Sequence, residues 1–242
     1  HFRLSLLLTS KIHYNTARVQ SPLKIYVVIT AYNEAKYLAS FLQKLKTQTP
    51  NFLIVDDGSV DDTVRIAQKF TKHLLIHPVN LGKGAAMKTG ADYAFKILQA
   101  DAVIFMDGDD QHDPVDLVKF YDFFMLHKQG LAFGVRAFDQ NMPLIRVLGN
   151  RFTSFLVKIL FGTYLSDIPS GFKAMSKAVY QKLRWQSSDY GVELEIACKT
   201  AKLKIPFTQI PIKTIYHDLD RGMSLTDPFK MIYKIILWRI NL

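Results

Sequence analysis

The sequence predicts an α/β fold: a single domain in which helices flank a mostly parallel β-sheet, with amphipathic helices at an interface. Short apolar runs rich in β-branched residues alternate with stretches of helical periodicity through the first 130 residues, which is typical of βαβ units. Clusters of Asp, Asn, Gly and Ser follow several of these runs, as expected at the carboxyl ends of parallel strands. A chain of 242 residues is long enough for one sizeable core.

Seven strands and seven helices are predicted in chain order. The strands are placed at Lys24–Thr30, Phe52–Asp56, His73–His77, Ala102–Met106, Leu131–Val135, Gly171–Met175 and Phe207–Lys213. Helical patterns are placed after Glu34 to about Lys46, after Ser59 to Phe70, and at Lys83–Gln99, Asp113–Lys128, Pro143–Phe161, Glu193–Leu203 and Asp227–Ile240. Beyond Gly130 the two kinds of element no longer alternate regularly, so the pattern determines the topology there less well.

The basic charge of the chain is concentrated in its last two fifths. Of the net charge of +10, residues 1–142 hold 16 Lys+Arg against 14 Asp+Glu, whereas residues 143–242 hold 15 against 7. No recognised nucleic-acid motif accompanies this excess, so we favour an anionic membrane surface, and no nucleic acid, as its partner. No apolar run reaches the ~20 residues that span a bilayer. We therefore expect a peripheral protein on the cytoplasmic, inner face of a membrane.

Three polar clusters fall where a parallel sheet places its ligands. Ala31–Glu34 follows the first strand, Asp56–Ser59 the second, and Asp107–Gln111 the strand Ala102–Met106. Each cluster by itself could be a turn, because Asp, Asn, Gly and Ser are the commonest turn residues. Three clusters at corresponding strand ends are harder to explain as turns, so we expect them to form one ligand site.

The third cluster has the composition of a site for a divalent cation. Three carboxylates within five residues would repel one another without a cation, and Asp107, Asp109 and the carboxamide of Gln111 offer the oxygen ligands that suit Mg²⁺ or Mn²⁺. The alternative is a solvated loop that leads into the next helix. We expect Asp113 and Asp116 to serve that helix start, and Asp107 and Asp109 to bind the metal.

The segment Asn80–Ala86 places two glycines at a helix start. It has neither the GxxxxGK[ST] spacing of a P-loop nor the GxGxxG spacing of a dinucleotide-binding fold, so neither nucleotide motif is met. A tight turn that allows close packing and a contact with the ligand explain the segment equally well.

The sequence resembles the family 2 glycosyltransferases with a GT-A fold, and among them the dolichyl-phosphate and other polyprenyl-phosphate glycosyltransferases. The resemblance runs from about Lys24 to the end of the chain, and the order of its motifs makes it specific. The motifs are VVITAYNEAKYL (27–38), LIVDDGSVDDT (53–63), NLGKGAAMKTG (80–90), MDGDDQHDP (106–114), SDIPSGFKAMSKAVY (166–180) and RGMS (221–224). Gly108 stands where the family often has Ala.

The resemblance implies a role for each motif. The nucleotide-sugar donor would be bound by Ala31, Tyr32, Asn33, Glu34, Asp56, Asp57, Gly58, Lys83, Asp107, Gly108 and Asp109, with Asp56 and Asp57 on the base or ribose. The metal, Mg²⁺ or Mn²⁺, would be held on the donor diphosphate by Asp107, Asp109 and Gln111. The catalytic residues would be Asp107, Asp109, Arg136 and Lys173. The segment Ser170–Lys173 would border the sugar and the acceptor.

The sequence divides into three predicted segments. Residues 1–23 form an N-terminal extension without an assigned function, residues 24–225 the GT-A catalytic domain, and residues 226–242 a C-terminal amphipathic helix. The single cysteine, Cys198, excludes an intramolecular disulfide and a multi-cysteine zinc site.

Two helices mix basic and apolar residues in a way that suits a membrane interface. The first, at about 143–161, carries Arg146, Arg151 and Lys158 among many apolar residues, and Asp227–Ile240 repeats the pattern. A helix buried on most sides of the core would also explain the first one. If it lies in the interface, the acceptor phosphate would be bound by Arg136, Arg146, Arg151 and Ser170.

The activity that the resemblance implies is the inverting transfer of a hexose from a nucleotide sugar, of the GDP-mannose or UDP-glucose type, to a dolichyl or undecaprenyl phosphate at the membrane surface. A phosphate acceptor is already ionised at neutral pH and needs no general base. Glu193 and Glu195 remain open as a base or as solvated helix residues, and His217 is left out of the metal site. The alternatives are transfer to a hydroxyl group of a glycan or glycolipid, and a nucleotide-sugar-binding module without turnover. Such a module has no need of the metal-binding set.

Overall fold

The computed structural model describes residues 23–136, 144–215 and 234–239, with the backbone alone at 144–146. Its strands are β1 (Ile25–Ala31), β2 (Phe52–Asp56), β3 (Leu74–Ile76), β4 (Ala102–Asp107), β5 (Leu131–Arg136), β6 (Lys173–Ser176) and β7 (Thr208–Ile212). Its helices are α1 (Ala35–Gln48), α2 (Thr63–Ala67), α3 (Lys83–Lys96), α4 (Leu117–Leu126), α5 (Leu144–Phe161), α6 (Lys177–Leu183) and α7 (Val192–Lys202), and residues 234–239 are also helical. The predicted extension, His217, the RGMS motif and most of the last predicted helix lie outside the described residues.

The strands of the described residues form one seven-stranded sheet in the order β3-β2-β1-β4-β6-β5-β7. The pairs β1–β2, β1–β4, β2–β3 and β5–β7 are parallel, whereas β6 runs antiparallel to both of its neighbours, β4 and β5. The mostly parallel sheet that the alternating pattern predicts is therefore confirmed, and each predicted strand is present.

Helices cover both faces of the sheet. Val28 of β1 and Val55 of β2 point to the face covered by α3, whereas Val27 and Ile29 point to the face covered by α1 and α4. All four side chains are fully buried. Because both faces are buried, the strands read as continuous apolar runs instead of alternating ones.

Helix α6 was missed, and several helix ends differ from the prediction, most of all those of α2 and α3. The helix α2 ends at Ala67 instead of Phe70, and α3 ends at Lys96 instead of Gln99. The helix α6 begins after Ser176, whose Oγ accepts a hydrogen bond from Val179 N at 3.3 Å. Seven residues are too few for a helical period to stand out in the sequence.

Asp113 and Asp116, both predicted to serve the start of α4, have different roles there. The chain first forms a 3₁₀ turn, Pro114–Asp116, and Asp113 Oδ1 accepts from Val115 N at 3.0 Å, so its predicted capping role is confirmed. The expected role of Asp116 is wrong, since its side chain makes no cap. Instead Asp116 Oδ2 accepts from Lys213 N at 2.6 Å and fastens the segment after β7 to this helix start.

Candidate active site

The three polar clusters meet at one edge of the sheet. Ala31 is paired with Asp56 in the β1–β2 register, and Thr30 is paired with Asp107 in the β1–β4 register. The contact continues beyond the strands, because Asp57 N donates to Ala31 O at 2.8 Å. The expected meeting of the clusters at the carboxyl ends of β1, β2 and β4 is therefore confirmed.

Asp56 presents one carboxylate oxygen that no described residue satisfies. Its side chain is fully buried, Oδ2 accepts from Ser59 N at 3.0 Å, and Oδ1 has no hydrogen-bond partner among the described residues. Asn33 braces the same turn, since Asn33 N donates to Ser59 Oγ and Val60 N donates to Asn33 Oδ1, each at 2.9 Å. A buried polar atom without a partner costs about 1–3 kcal/mol. A ligand that donates a hydrogen bond there would recover this free energy.

Asp57, the next residue, holds main chain in place. Its side chain is buried, and Oδ1 lies 2.7 Å from His77 Nδ1 and accepts from Leu81 N at 3.0 Å. The other oxygen, Oδ2, accepts from Gly82 N at 2.8 Å. The observed contacts of Asp57 therefore stabilise the turn after β3. A contact of Asp57 with the donor stays a prediction.

Glycines let two loops approach each other beside the site. Gly58 and Gly82 have φ angles of +75° and +93°, in the left-handed region that favours glycine. A Cβ atom at Gly82 would lie 2.5 Å from Ser188 O, and Trp185 Nε1 donates to Gly84 O at 2.8 Å. Residues 185–189 thus pack directly on the start of α3. The close-packing explanation of the glycine turn is confirmed, and its contact with a ligand stays a prediction.

Lys83, the first residue of α3, joins the acidic turn after β4 to α7. Its ammonium group lies 2.9 Å from both carboxylate oxygens of Asp107 and 2.7 Å from Glu193 Oε1. The three side chains are only 14%, 22% and 5% exposed. Burial opposes the charge, but the two carboxylates raise the pKa of Lys83 above its usual range. Lys83 is therefore a permanent cation in the site.

Gly171 forms the wall of the site against this ion pair. A Cβ atom there would overlap Asp107 Oδ2 and would lie 3.0 Å from Lys83 Nζ. No other residue type leaves room for the two charged groups as they stand. By contrast, a Cβ atom at Gly108 would lie 3.2 Å from Leu38 Cδ1, a tight but adjustable contact.

The surroundings of Asp109 favour the protonated form of its carboxyl group. Burial and the charge of Asp107 raise its pKa to about 7, and Glu34 adds to this effect. Asp109 Oδ1 accepts from Gln111 N at 3.0 Å, so the expected metal-binding residues lie in one turn. The intervening Asp110 is turned away and pairs with Lys44 at 2.9 Å.

Mg²⁺ or Mn²⁺ suits the chemistry of this turn. Asp107 and Asp109 carry charges that repel each other, and a divalent cation between them would remove the repulsion. No group of three His, Cys, Asp and Glu side chains comes together as a metal site in the described part of the chain. Mg²⁺ commonly keeps waters and bridges to substrate phosphates, so it needs few ligands from the protein.

The helix α7 sends its two glutamates in different directions, as residues two apart on a helix must. Glu193 points into the site at Lys83. Glu195 accepts hydrogen bonds from Gln186 N at 2.8 Å and Ser187 N at 2.7 Å, and so holds the segment that packs on α3. Of the pair that the sequence leaves open, Glu193 belongs to the site and Glu195 supports it.

Arg136, at the end of β5, is anchored by a buried carboxylate. Its Nε and Nη2 atoms each donate to Asp167 at 2.8 Å, and its main-chain N donates at 2.9 Å. Asn150 of α5 donates to the same carboxylate at 3.1 Å. This bidentate pair fixes the guanidinium group. A contact of Arg136 with phosphate stays a prediction.

Lys173 lies beneath the site and is fully buried. Its ammonium group donates to the carbonyl oxygens of Ser170 and Ile168, and burial, partly offset by Glu193, lowers its pKa to about 8. Lys173 therefore holds the turn that carries Ser170 and Gly171. The Oγ atom of Ser170 is buried without a partner among the described residues. Direct substrate contacts of Lys173 and Ser170 stay predictions.

His112 is a site residue to which the sequence analysis gave no role. The ring is buried, lies 5.5 Å from the ring of Phe172, and has no hydrogen-bond partner for Nδ1 among the described residues. Burial lowers its pKa to about 4, so the imidazole is neutral. Its position directly after Gln111 in the acidic motif was the signal that could have identified it.

The helix α5 exposes an apolar stripe, which we call the α5 stripe. Its members, spaced by four, three and four residues along one face, are 49–61% exposed: Leu148, Phe152, Phe155 and Ile159. The opposite face is buried through Ser154 and Val157, and Arg151 and Lys158 are exposed beside the stripe. The helix is therefore not buried on most sides. The side chain of Arg146 lies outside the described residues. None of the described helices is long and apolar enough to cross a membrane.

Comparison with known proteins places these features in a family. The family model described as "Glycosyl transferase family 2" matches residues 26–184. A dolichyl-phosphate N-acetylglucosaminyltransferase of Methanococcus voltae, which uses UDP-N-acetylglucosamine, is 31% identical over 90% of this chain and 96% of its own. An undecaprenyl-phosphate mannosyltransferase of Micrococcus luteus is 25% identical over 81% of this chain and 86% of its own.

The fold is shared with a solved enzyme of known ligands. The glucosyl-3-phosphoglycerate synthase of Mycobacterium tuberculosis, crystallised with Mn²⁺, UDP and phosphoglyceric acid, matches with a TM-score of 0.70 at 20% identity, over 91% of this chain and 79% of that one. At that identity the match concerns the fold alone. The expected GT-A fold is confirmed.

Proposed function

This chain belongs to glycosyl transferase family 2, and we propose that it transfers a hexose from a nucleotide sugar to a polyprenyl phosphate with inversion at the anomeric carbon. The donor would be of the GDP-mannose or UDP-glucose type, and the acceptor a dolichyl or undecaprenyl phosphate. The observation that carries the proposal is the acidic turn after β4, where Asp107 faces the permanent cation of Lys83. Relatives that cover most of the chain act on dolichyl and undecaprenyl phosphate, which supports the acceptor.

The donor would lie across the carboxyl ends of β1, β2 and β4. The unsatisfied Oδ1 of Asp56 would accept a hydrogen bond from the base or ribose, and Lys83 would face the diphosphate. Asp107, Asp109 and Gln111 would hold Mg²⁺ or Mn²⁺, which, when bound, neutralises charge on the leaving group. In the reaction an acceptor oxygen bonds to the anomeric carbon, the bond from that carbon to the donor diphosphate breaks, and a nucleoside diphosphate leaves.

The described site favours an acceptor that is ionised before it reacts. Glu195 accepts hydrogen bonds from main-chain N–H groups, and Glu193 forms an ion pair with Lys83. The lowered pKa of His112, about 4, makes its imidazole a weak base. A hydroxyl acceptor would need a stronger base than these three residues provide, and Asp109, with a pKa of about 7, belongs to the expected metal-binding set. A phosphate monoester already carries an oxyanion at neutral pH.

The α5 stripe supports a position at a membrane surface. Its four apolar side chains with Arg151 and Lys158 beside them suit the boundary between headgroups and acyl chains of an anionic bilayer. Flotation with liposomes should show binding to anionic vesicles that weakens with salt. Replacing Phe152 and Phe155 with Ser should reduce this binding, whereas replacing the exposed Ile97 on the end of α3 with Ser should not. Equal flotation of both variants would contradict this position.

The acceptor is tested by comparing a polyprenyl phosphate with the matching polyprenol. Purified protein with Mn²⁺ or Mg²⁺ is incubated with a panel of GDP- and UDP-sugars, including UDP-N-acetylglucosamine, and products are read by mass spectrometry. We expect one donor to label the phosphate and none to label the alcohol. Equal rates with both acceptors would favour the hydroxyl alternative and return attention to Glu193. Binding of a donor without any product would favour the module without turnover.

A further inference from the structure

One ammonium group lies against the carboxylate of Asp107, the first residue of the expected metal-binding set. Lys83 Nζ is 2.9 Å from both oxygens of that carboxylate, and Glu193 Oε1 lies 2.7 Å from it on the other side. These three residues come from the start of α3, the end of β4 and the first turn of α7. Gly171 closes the remaining side so tightly that a single added carbon would overlap Asp107.

We propose that Lys83 is the resident cation of the nucleotide-free enzyme, and that Glu193 is the positioning residue that receives Lys83 when a divalent cation takes Asp107. The inference rests on the proposed function and adds to it the order in which the metal and the donor bind. The metal would bind as a complex with the donor diphosphate, because the diphosphate supplies both ligands for the metal and a second partner for Lys83. Without nucleotide the metal would bind weakly.

Charge and space both argue for this exchange. An ammonium group and a divalent cation on the same carboxylate repel each other strongly at a separation of about 4 Å in a partly buried site. The cation therefore cannot simply be added, and Lys83 must move. Glu193 already touches Lys83 and is 5% exposed, so a short shift keeps the ammonium group paired. Without Glu193, a displaced Lys83 would be left without this partner.

The test is direct Mn²⁺ binding in the absence of nucleotide, read from the electron paramagnetic resonance signal of free Mn²⁺. We expect Lys83→Gln to bind Mn²⁺ at least about 10-fold more tightly than the wild type, because the ammonium group of Lys83 no longer competes with Mn²⁺ for the carboxylate of Asp107. The matched control is Lys44→Gln, which removes the same charge from the neighbouring Asp110. It should change the affinity by less than about 2-fold, because Lys44 is half-exposed and its partner Asp110 is not among the expected metal ligands.

The role of Glu193 is tested by a double-mutant cycle on the same reading. Glu193→Gln should weaken Mn²⁺ binding in the wild-type background and leave it unchanged within about 2-fold in the Lys83→Gln background, because Glu193 acts through Lys83. An equal effect in both backgrounds would mean that Glu193 acts only as a nearby charge. Lys83→Met serves as a second variant if Lys83→Gln does not give the thermal melt of a folded protein.

Addition of nucleotide separates this inference from the proposed function. With UDP or GDP present, wild-type protein should bind Mn²⁺ tightly, and Lys83→Gln should lose its advantage because it lacks the contact with phosphate. If Mn²⁺ and either nucleotide bind together normally but Lys83→Gln gains nothing without nucleotide, the inference is wrong and the function stands. If neither nucleotide binds with Mn²⁺, the proposed function itself fails.

Discussion

Two acidic turns at neighbouring strand ends look alike in the sequence and are held in different ways. After β2, the carboxylate of Asp57 accepts hydrogen bonds from the main-chain N–H groups of Leu81 and Gly82. After β4, the carboxylate of Asp107 is held chiefly by the side chain of Lys83. Main-chain donors cannot leave without unfolding a turn, whereas an ammonium group on a long side chain can. The carboxylate of Asp57 therefore stabilises a fixed turn, whereas the carboxylate of Asp107 can exchange its ammonium partner for another cation.

The strongest test of this difference is the loss of activity in Asp109→Asn. This change removes a negative charge from the exchangeable turn, so transfer should fall by at least about 100-fold, as when a group that stabilises transition-state charge is lost. The fold should remain, because the described contacts of Asp109 include only one main-chain hydrogen bond, from Gln111. The measurement is the initial rate with saturating Mn²⁺, beside the circular dichroism spectrum. Full activity of this variant in EDTA would contradict the metal assignment.

The opposite result is expected after β2, where Asp57→Ala should reduce stability. The change leaves the N–H groups of Leu81 and Gly82 and the ring of His77 without their acceptor. A buried group without a partner costs about 1–3 kcal/mol, but only His77 is buried and the two N–H groups can reach water at lower cost, so we expect a total loss of about 2–4 kcal/mol in the free energy of unfolding. Urea denaturation of the metal-free protein measures it. The control is Asp107→Ala, which should cost less because it leaves no main-chain donor of this kind. A larger loss for Asp107→Ala would reverse the comparison.

The sequence allowed the location of both turns to be predicted, but not their difference. Alternating strands and helices place Asp56 and Asp107 at the same sheet edge whatever the details of packing, and this was confirmed. The partners that distinguish the turns are distant in sequence. Lys83 and Glu193 are 110 residues apart, and their contact depends on how α7 docks, which no local pattern encodes.

The second half of the fold shows the same limit. Periodicity indicated each strand there but could not show that β6 runs antiparallel between β4 and β5. Glu193 and Glu195 could not be told apart by type, since only the direction of each side chain from α7 separates them. Likewise Arg136 was assigned to phosphate by resemblance, while its bidentate partner Asp167 follows only from the tertiary structure.

A smaller effect is expected from adding one carbon to either of two glycines beside Asp107. Gly171→Ala would push a methyl group into Asp107 Oδ2 and Lys83, whereas Gly108→Ala would make tight contacts with Leu38 Cδ1 at 3.2 Å and with Ala31 Cβ and Thr30 O at 3.3 Å, and would touch neither charged group. Overpacking of this kind costs about 1–3 kcal/mol. We expect Gly171→Ala to lower the transfer rate by about 10-fold or more, and Gly108→Ala to change it by less than about 3-fold. Equal rates in the two variants would show that the position of the ion pair does not limit the reaction.

The last expected effect concerns stability alone: a pH dependence that Asp109→Asn should uncover in metal-free protein. The pKa of Asp109 is raised to about 7 in the folded state from an ordinary value of 3.8, so between these values the folded protein binds more protons, and its stability falls as the pH rises. The pKa of His112 is lowered to about 4 from 6.5, which has the opposite sign, so the two slopes partly offset each other in the wild type. Asp109→Asn removes only the slope that comes from Asp109 and leaves the slope that comes from His112.

The variant should therefore gain stability relative to the wild type from about pH 4 to about pH 7, by at most about 1.4 kcal/mol per pH unit, and should gain nothing more above pH 7. Urea denaturation in EDTA across this range measures the difference, with the exposed Asp122→Asn as the control. A difference that is flat, or that falls with rising pH, would mean that Asp109 is already ionised in the empty site, and that the turn after β4 is less strained by its own charge than its burial beside Asp107 implies.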